Sequence, residues 1–536
     1  MIRNPILPGF NPDPSICRVD EDYYIATSTF EWYPGVQIHH SRDLVNWTLV
    51  RRPLERASQL DMRGNPDSCG IWAPCLSFSD SLFWLVYTDV KRFDGSFKDA
   101  HNYIVTAPSI EAEWSEPIYV NSSGFDPSLF HDDDGRKWFL NMQWNHRTES
   151  YGGAPRHPAF DGILLQEWDA GTQRLVGPVR NIFAGSPLGL VEGPHLFKRK
   201  GYYYLTTAEG GTGYDHAVTM ARSRDIVGPY ELHPNIYLIT SKDDPQAKLQ
   251  RAGHGQYVET PEGRPYHTHL CGRPLPPHRR CTLGRETALQ ECAWHDDDWL
   301  YLAGGGMVPQ VEVEAPGTAN LPEPPGPVDY RFDACRLPSD FQWLRTPEPD
   351  RIFSLQQRPG HLRLIGRESI GSWFEQSLVA RRQEHHRFRA ETTLDFEPAT
   401  YQQAAGLTHY YNRHKLHALM VSIHEKLGRV LTIFSCPGDF PHARLQFPIE
   451  SGIALPEGPV HLALEVHDNE LQFFWRHRED LPWQAIGPVL DAGVISDEGG
   501  RGEHGSFTGA FVGMVAFDIT GGGCPADFAH FAYRPL

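Results

Sequence analysis

The chain has 536 residues, a formal net charge of −18, 12% aromatic residues and 44 prolines. That length implies two or three domains, and an acidic balance with no basic stripe argues against a nucleic-acid partner. No apolar run nears the roughly 18 residues that a membrane helix needs, and nine scattered cysteines without a CxxC pair argue against a disulfide framework or a zinc site.

The first distinctive stretch is "GFNPDPSI", with Asp13 held between Pro12 and Pro14. Proline restricts its own φ and steers the preceding residue toward extended conformations, so Asp13 is expected to be extended and rigid. Short aromatic and β-branched runs then recur: "DYYIATS" from Asp22, "LFWLVYTD" from Leu82, "RKWFLNM" from Arg136, "GYYYLTT" from Gly201 and "RPYHTHL" from Arg264. Each follows a turn-like stretch, and the starts lie about 60 residues apart, the length of one four-stranded propeller blade. Five repeats predict a five-bladed β-propeller, its last blade completed by "RETALQECAW" and "DWLYLAGG".

Just upstream of the five runs stand Asp13, Trp72, Asp126, Glu192 and His254. The innermost strand of each blade faces the axis, so these residues are expected to ring one central cavity. Three carboxylates there suit a hard-cation site, a glycosidase acid–base pair, or merely blade-entry turns. Trp72 favours a sugar, since aromatic faces stack on the apolar C–H faces of sugar rings. "HDDDG" at 131 and "HDDDW" at 295 read as hairpin turns, and "GGTG" at 210 as a turn. His267 and His269 share a strand face but have no evident third metal ligand.

From Val311 to Tyr330 the chain carries five prolines and reads as a semi-rigid linker. Beyond it, alternating strands such as "LHALMVSIHE" and "VHLALEVHDNELQFFWR" predict a β-sandwich of jelly-roll type. The expected division is a propeller over 1–315, a proline-rich linker over 316–328 and a sandwich over 329–536 that packs on the cavity side of the propeller.

Taken in order, "FNPDPS", "STFEWYPGVQIHHSRDLVNW", "GIWAPCL", "GFDPSLF", "VEGPHLF", "GHGQYV", "LGRETALQ" and "GSFTGAFVGM" resemble a two-domain bacterial β-xylosidase of glycoside hydrolase family 43, over essentially the whole chain. The resemblance implies an inverting exo-hydrolase that releases D-xylose from β-1,4-xylooligosaccharides, with side activity on α-L-arabinofuranosides. It casts Asp13 as general base, Glu192 as general acid and Asp126 as the carboxylate that orients the acid. Phe30, Trp72 and Trp144 become walls of the sugar subsites, although Phe30 and Trp144 also suit blade core. Arg285 becomes the ligand of a sugar hydroxyl, His254 the pocket floor, and Phe507 a sandwich residue reaching the pocket mouth. No cofactor is implied as required, though some relatives carry calcium on the axis. No membrane or nucleic-acid partner is implied, and homotetramers are common. An essential base at residue 13 leaves no room for a cleaved leader, which points to the cytoplasm. The alternatives are a mainly arabinofuranosidase activity, a retaining fructan-type hydrolase, and a sugar-binding propeller without catalysis.

Overall fold

The computed structural model describes residues 1–147, 159–317, 326–438, 441–442, 444–500 and 505–536. Among them the regular structure is almost wholly β, with two single 3-10 turns at Pro349–Arg351 and Ala492–Val494. No helix among them is long and apolar enough to cross a membrane.

Five separate antiparallel sheets form the first half of the molecule. Blade 1 runs Ser15–Val19, Asp22–Thr27, Gln37–Ser41 and Thr48–Arg51. Blade 2 runs Gly70–Ser79, Leu82–Arg92, Asp99–Ala107 and Ile118–Asn121. Blade 3 runs Ser128–His131, Lys137–Trp144, Phe160–Asp169 and Arg174–Phe183. Blade 4 runs Glu192–Arg199, Tyr202–Glu209, Ala217–Ser223 and Glu231–Thr240. Blade 5 runs Gln250–Gly253, Pro265–Gly272, Glu286–Trp294 and Leu300–Leu302, with Tyr257–Glu259 paired to its second strand.

The aromatic runs are the second strands of these blades, and burial on both faces explains why they read as nearly continuous apolar text. In Asp22–Thr27, Tyr23 and Ile25 pack toward Tyr266 and Leu289 of blade 5. Tyr24 and Ala26 point the other way, toward Phe83 and Leu85 of blade 2. Alternation along a strand thus feeds two blade–blade interfaces at once. Near the axis, the Leu76 N–H donates to Ser15 Oγ at 3.0 Å and the Ile16 N–H to Gln256 Oε1 at 3.0 Å, tying blade 1 to both neighbours. The ring closes where Ile2–Arg3 pairs with Glu312–Val313. Asn4 reinforces the seam by donating to Leu289 O and accepting from Leu289 N, each at 2.8 Å.

The second half is two stacked sheets. One carries Leu362–Ile365, Pro525–Pro535, Arg387–Asp395, Val460–His467 and Glu470–Arg476 as neighbours, and the other Gly428–Pro437, Lys415–His424, Gln403–Asn412, Phe511–Asp518, Ser377–Arg382 and Phe341–Leu344. Their facing side chains, among them Leu364, Phe388, Leu407, Leu419, Leu462 and Phe528, make one continuous core. The outermost strand of the second sheet is Trp32–Tyr33, a segment of blade 1, paired with Phe341–Leu344. Trp32 is fully buried and stacks on Phe511 at 3.7 Å with 12° between the rings. A propeller loop therefore completes the sandwich, so the two halves share a sheet as well as a surface. Val328 already belongs to a sandwich strand, Val328–Arg331, and residues 318–325 of the expected linker lie outside the described residues.

Candidate active site

The five blades enter the axis through one repeated backbone device. Asp13, Ala73, Asp126, Gly193 and His254 have positive φ, at 56°, 37°, 54°, 57° and 47°. All but His254 precede a proline. For a residue other than glycine this conformation costs of order 1–3 kcal/mol and persists only where the surroundings enforce it. Asp13 is therefore not extended as its flanking prolines suggest. The Ser28 N–H donates to Pro12 O at 3.1 Å, while the Asp13 side chain is gripped from both sides, and these contacts outweigh the local preference. Aspartate tolerates left-handed φ better than most residues. The device also corrects the register of the ring: Trp72 and Glu192 stand one residue before the kink, whereas Asp13, Asp126 and His254 stand on it. In blade 4 the kink must be glycine, because a Cβ on Gly193 would lie 2.9 Å from His254 Nε2.

These kinks surround a cavity of about 160 Å³. That is below the roughly 300–1,000 Å³ of drug-sized sites and has room for one small ring. Asp13, Asp126, Glu192, Lys98, His254 and Arg285 supply its polar wall. The apolar wall is aromatic: Phe30, Trp72, Phe93, Phe125, Phe160 and Phe507. Trp72 is its hub, with Phe30, Phe93, Phe125 and Phe507 all ring-to-ring at 6.0 Å or closer. The Trp72 indole N–H donates to Ser68 O at 3.0 Å, which fixes the ring plane.

The three carboxyls have different surroundings. Asp13 Oδ1 accepts from Arg285 Nη1 at 2.7 Å and Oδ2 from Ser28 Oγ at 2.7 Å. Ser28 Oγ accepts in turn from the Ala73 N–H at 2.7 Å. Asp126 Oδ2 accepts from the Gly193 N–H at 3.1 Å, gripping the backbone beside Glu192. Burial, and then the charge of Asp13, push the Glu192 carboxyl up to about 8, against smaller opposing effects of Arg285 and Lys98. Burial first, then Glu192 and Asp13, push Asp126 well above the usual carboxylate range. Burial lowers the His254 imidazole against the opposing charge of Asp13, whose Oδ1 lies 3.7 Å from its Nδ1. Burial also lowers the Lys98 ammonium, to about 8.

The cavity thus gathers Asp13, Asp126, Glu192, Phe30, Trp72, His254, Arg285 and Phe507. Trp144 is not among its lining residues. It packs behind the wall, 5.5 Å from Phe160, with Lys98 Nζ 4.1 Å over its ring and its N–H bonded to Ser96 O. Sequence reasoning passed over Phe93, Lys98, Phe125, Phe160 and Ser28. Phe125, next to Asp126 in "GFDPS", carried a signal; Lys98, in the polar loop "FDGSFKD", carried none.

The donors around His254 do not suit calcium, which takes six to eight oxygens. The nearest carboxylate, Asp13, has both oxygens engaged. Among the described residues no three His, Cys, Asp or Glu side chains are grouped to hold a metal ion. His267 and His269 each spend Nδ1 on a neighbouring carbonyl. Asp132, in the "HDDDG" turn, is bonded to Lys198 and Tyr203.

Comparison with known proteins places the chain among relatives. The family described as "Glycosyl hydrolases family 43" matches residues 2–300. A "Beta xylosidase C-terminal Concanavalin A-like domain" matches residues 329–534. A xylosidase/arabinosidase 43B of Humicola insolens is 61% identical over 538 residues, spanning 100% of this chain and 98% of that protein. A β-xylosidase of Bacillus subtilis is 49% identical, spanning 99% of each. The crystal structure of a xylan β-1,4-xylosidase from Bacillus halodurans C-125 superposes with a TM-score of 0.95 at 51% identity, covering 100% of both chains.

Proposed function

The chain belongs to glycosyl hydrolase family 43, and from that premise we propose that it removes single D-xylose units from the non-reducing ends of β-1,4-xylooligosaccharides, inverting the anomeric centre. The observation that carries the reading is the contrast among the carboxyls around a one-ring cavity: Glu192 is pushed up to about 8, while Asp13 is clasped by a guanidinium. An inverting glycosidase needs one protonated acid and one carboxylate base on opposite sides of the bond.

In this reading the xylosyl ring stacks on the aromatic wall and Arg285 bonds one of its hydroxyls. Asp13 accepts a proton from a water as the water oxygen bonds to the anomeric carbon. The bond to the glycosidic oxygen breaks, and Glu192 gives that oxygen its proton. The products are α-xylose and an oligosaccharide one unit shorter. Asp126, by holding the Gly193 N–H, keeps Glu192 aimed. Phe507 closes one side of the cavity, which suits exo action on a chain end. No residue around the cavity is assigned to a cofactor.

A second activity, on terminal α-L-arabinofuranosides, is supported by the name of the Humicola insolens relative. Rates on the two aryl glycosides measured side by side give the balance. The homotetramer implied by the resemblance is part of the proposal, and light scattering reads it directly. NMR of xylobiose hydrolysis tests the central reading: α-xylose should appear first. Initial β-xylose would mean retention, as in a fructan-type hydrolase, and binding without turnover would mean a non-catalytic propeller.

A further inference from the structure

Arg285 is held by remarkably little for a group at the centre of the site. Among the described residues its side chain makes two hydrogen bonds, one to Asp13 and one from Nη2 to the Phe507 carbonyl at 2.8 Å. Its Nε is buried without a partner. Apart from the base itself, the only polar anchor of this guanidinium among the described residues is therefore a main-chain oxygen of the sandwich. Where that oxygen sits decides where Arg285 sits, and with it Asp13.

The Phe507 carbonyl is placed by a hydrogen-bonded chain that crosses between the two halves. Its peptide partner, the Thr508 N–H, donates to Tyr411 Oη at 2.9 Å. The Tyr411 hydroxyl donates to Asp497 Oδ1. Asp497 Oδ2 accepts from Arg251 Nη2 at 2.7 Å, with both side chains almost wholly buried. Arg251 lies on the innermost strand of blade 5, three residues before His254, and its Nε also donates to Thr212 O at the cavity wall. Lys415 Nζ donates both to Ser496 O at 2.8 Å, beside Asp497, and to Ser506 Oγ at 3.0 Å, beside Phe507.

We infer that Tyr411, with Asp497 and Arg251, is a positioning residue for the reaction: it fixes the Phe507 carbonyl, which aims Arg285 and so orients Asp13. The inference rests on the proposed roles of Asp13 and Arg285. It gives the sandwich a part in orienting the base in addition to the steric wall of Phe507. Misplacing a reacting group by an ångström from a distant change costs up to about a hundredfold in rate.

The test is Tyr411→Phe in the full chain, which keeps the buried ring and removes only the hydroxyl. On an aryl β-xyloside, kcat should fall about tenfold with KM changed far less, on the scale of such misplacements. The loss should vanish when Tyr411→Phe is added to Arg285→Lys, because lysine cannot fork between Asp13 and the Phe507 carbonyl. Should Tyr411→Phe not fold, Asp497→Asn is measured in the same way with the same expectation. An unchanged kcat overturns the inference, and so does an equal loss in the Arg285→Lys background. If the parent protein itself leaves the aryl xyloside intact, it is the proposed function that fails.

Discussion

At the scale of single residues, the site invests stability in charge placement. Glu192 sits first on its strand and almost fully buried, and its carboxyl is raised to about 8. Between about pH 5 and 8 the unfolded chain ionises this group while the folded chain keeps it protonated, so stability falls as pH rises through that window. Glu192→Gln should abolish most turnover yet melt at a higher temperature than the parent, by a margin that widens from pH 5 to pH 8 in thermal scans. Lys98 acts on the same group with opposite sign, since its charge lowers the Glu192 carboxyl. Lys98→Met should move the alkaline limb of the kcat profile upward, read from initial rates between pH 6 and 9. The sequence spells out Asp13, Asp126 and Glu192 because each stands beside a proline or glycine at the blade entry. It does not spell out Ser28 or Lys98, whose roles depend on partners 15 and 94 residues away and on no local pattern.

At the scale of elements, the second strands of the blades were readable because both their faces are buried. The two-residue strand Trp32–Tyr33 was not, since nothing in "STFEWYPG" says that its partner lies beyond residue 340. The positive φ at Asp13 was hidden for a related reason: contacts from Ser28 and Arg285 override the local effect of Pro14. Trp32 belongs to the propeller by sequence and to the sandwich by packing, where it meets Phe511 and Tyr410. Trp32→Ala should cost about 3–5 kcal/mol in denaturant unfolding, as for a large buried aromatic. It should also lower activity, since Phe30 and Glu31 beside it reach Trp72 and Ser68.

At the scale of the whole molecule, the shared sheet and the buried Arg251–Asp497 and Arg345–Asp67 pairs join the two halves. Calorimetry should show a single unfolding transition, whereas two resolved transitions would mean that the halves melt independently. A chain cut after residue 315 should lose soluble folding, because it exposes Trp32 and Phe10 and leaves Arg285 without the Phe507 carbonyl. The closure of the ring by Ile2–Arg3 on Glu312–Val313 also sets a timetable for the newborn polypeptide. At about 5–20 residues per second, Ile2 waits roughly a quarter of a minute to a minute on the ribosome before its partner emerges. Trp32 waits for Leu344 in the same way. Ile2 is thus docked only after Val313 has been made, and a ribosome stalled anywhere before residue 313 holds a propeller that is still open.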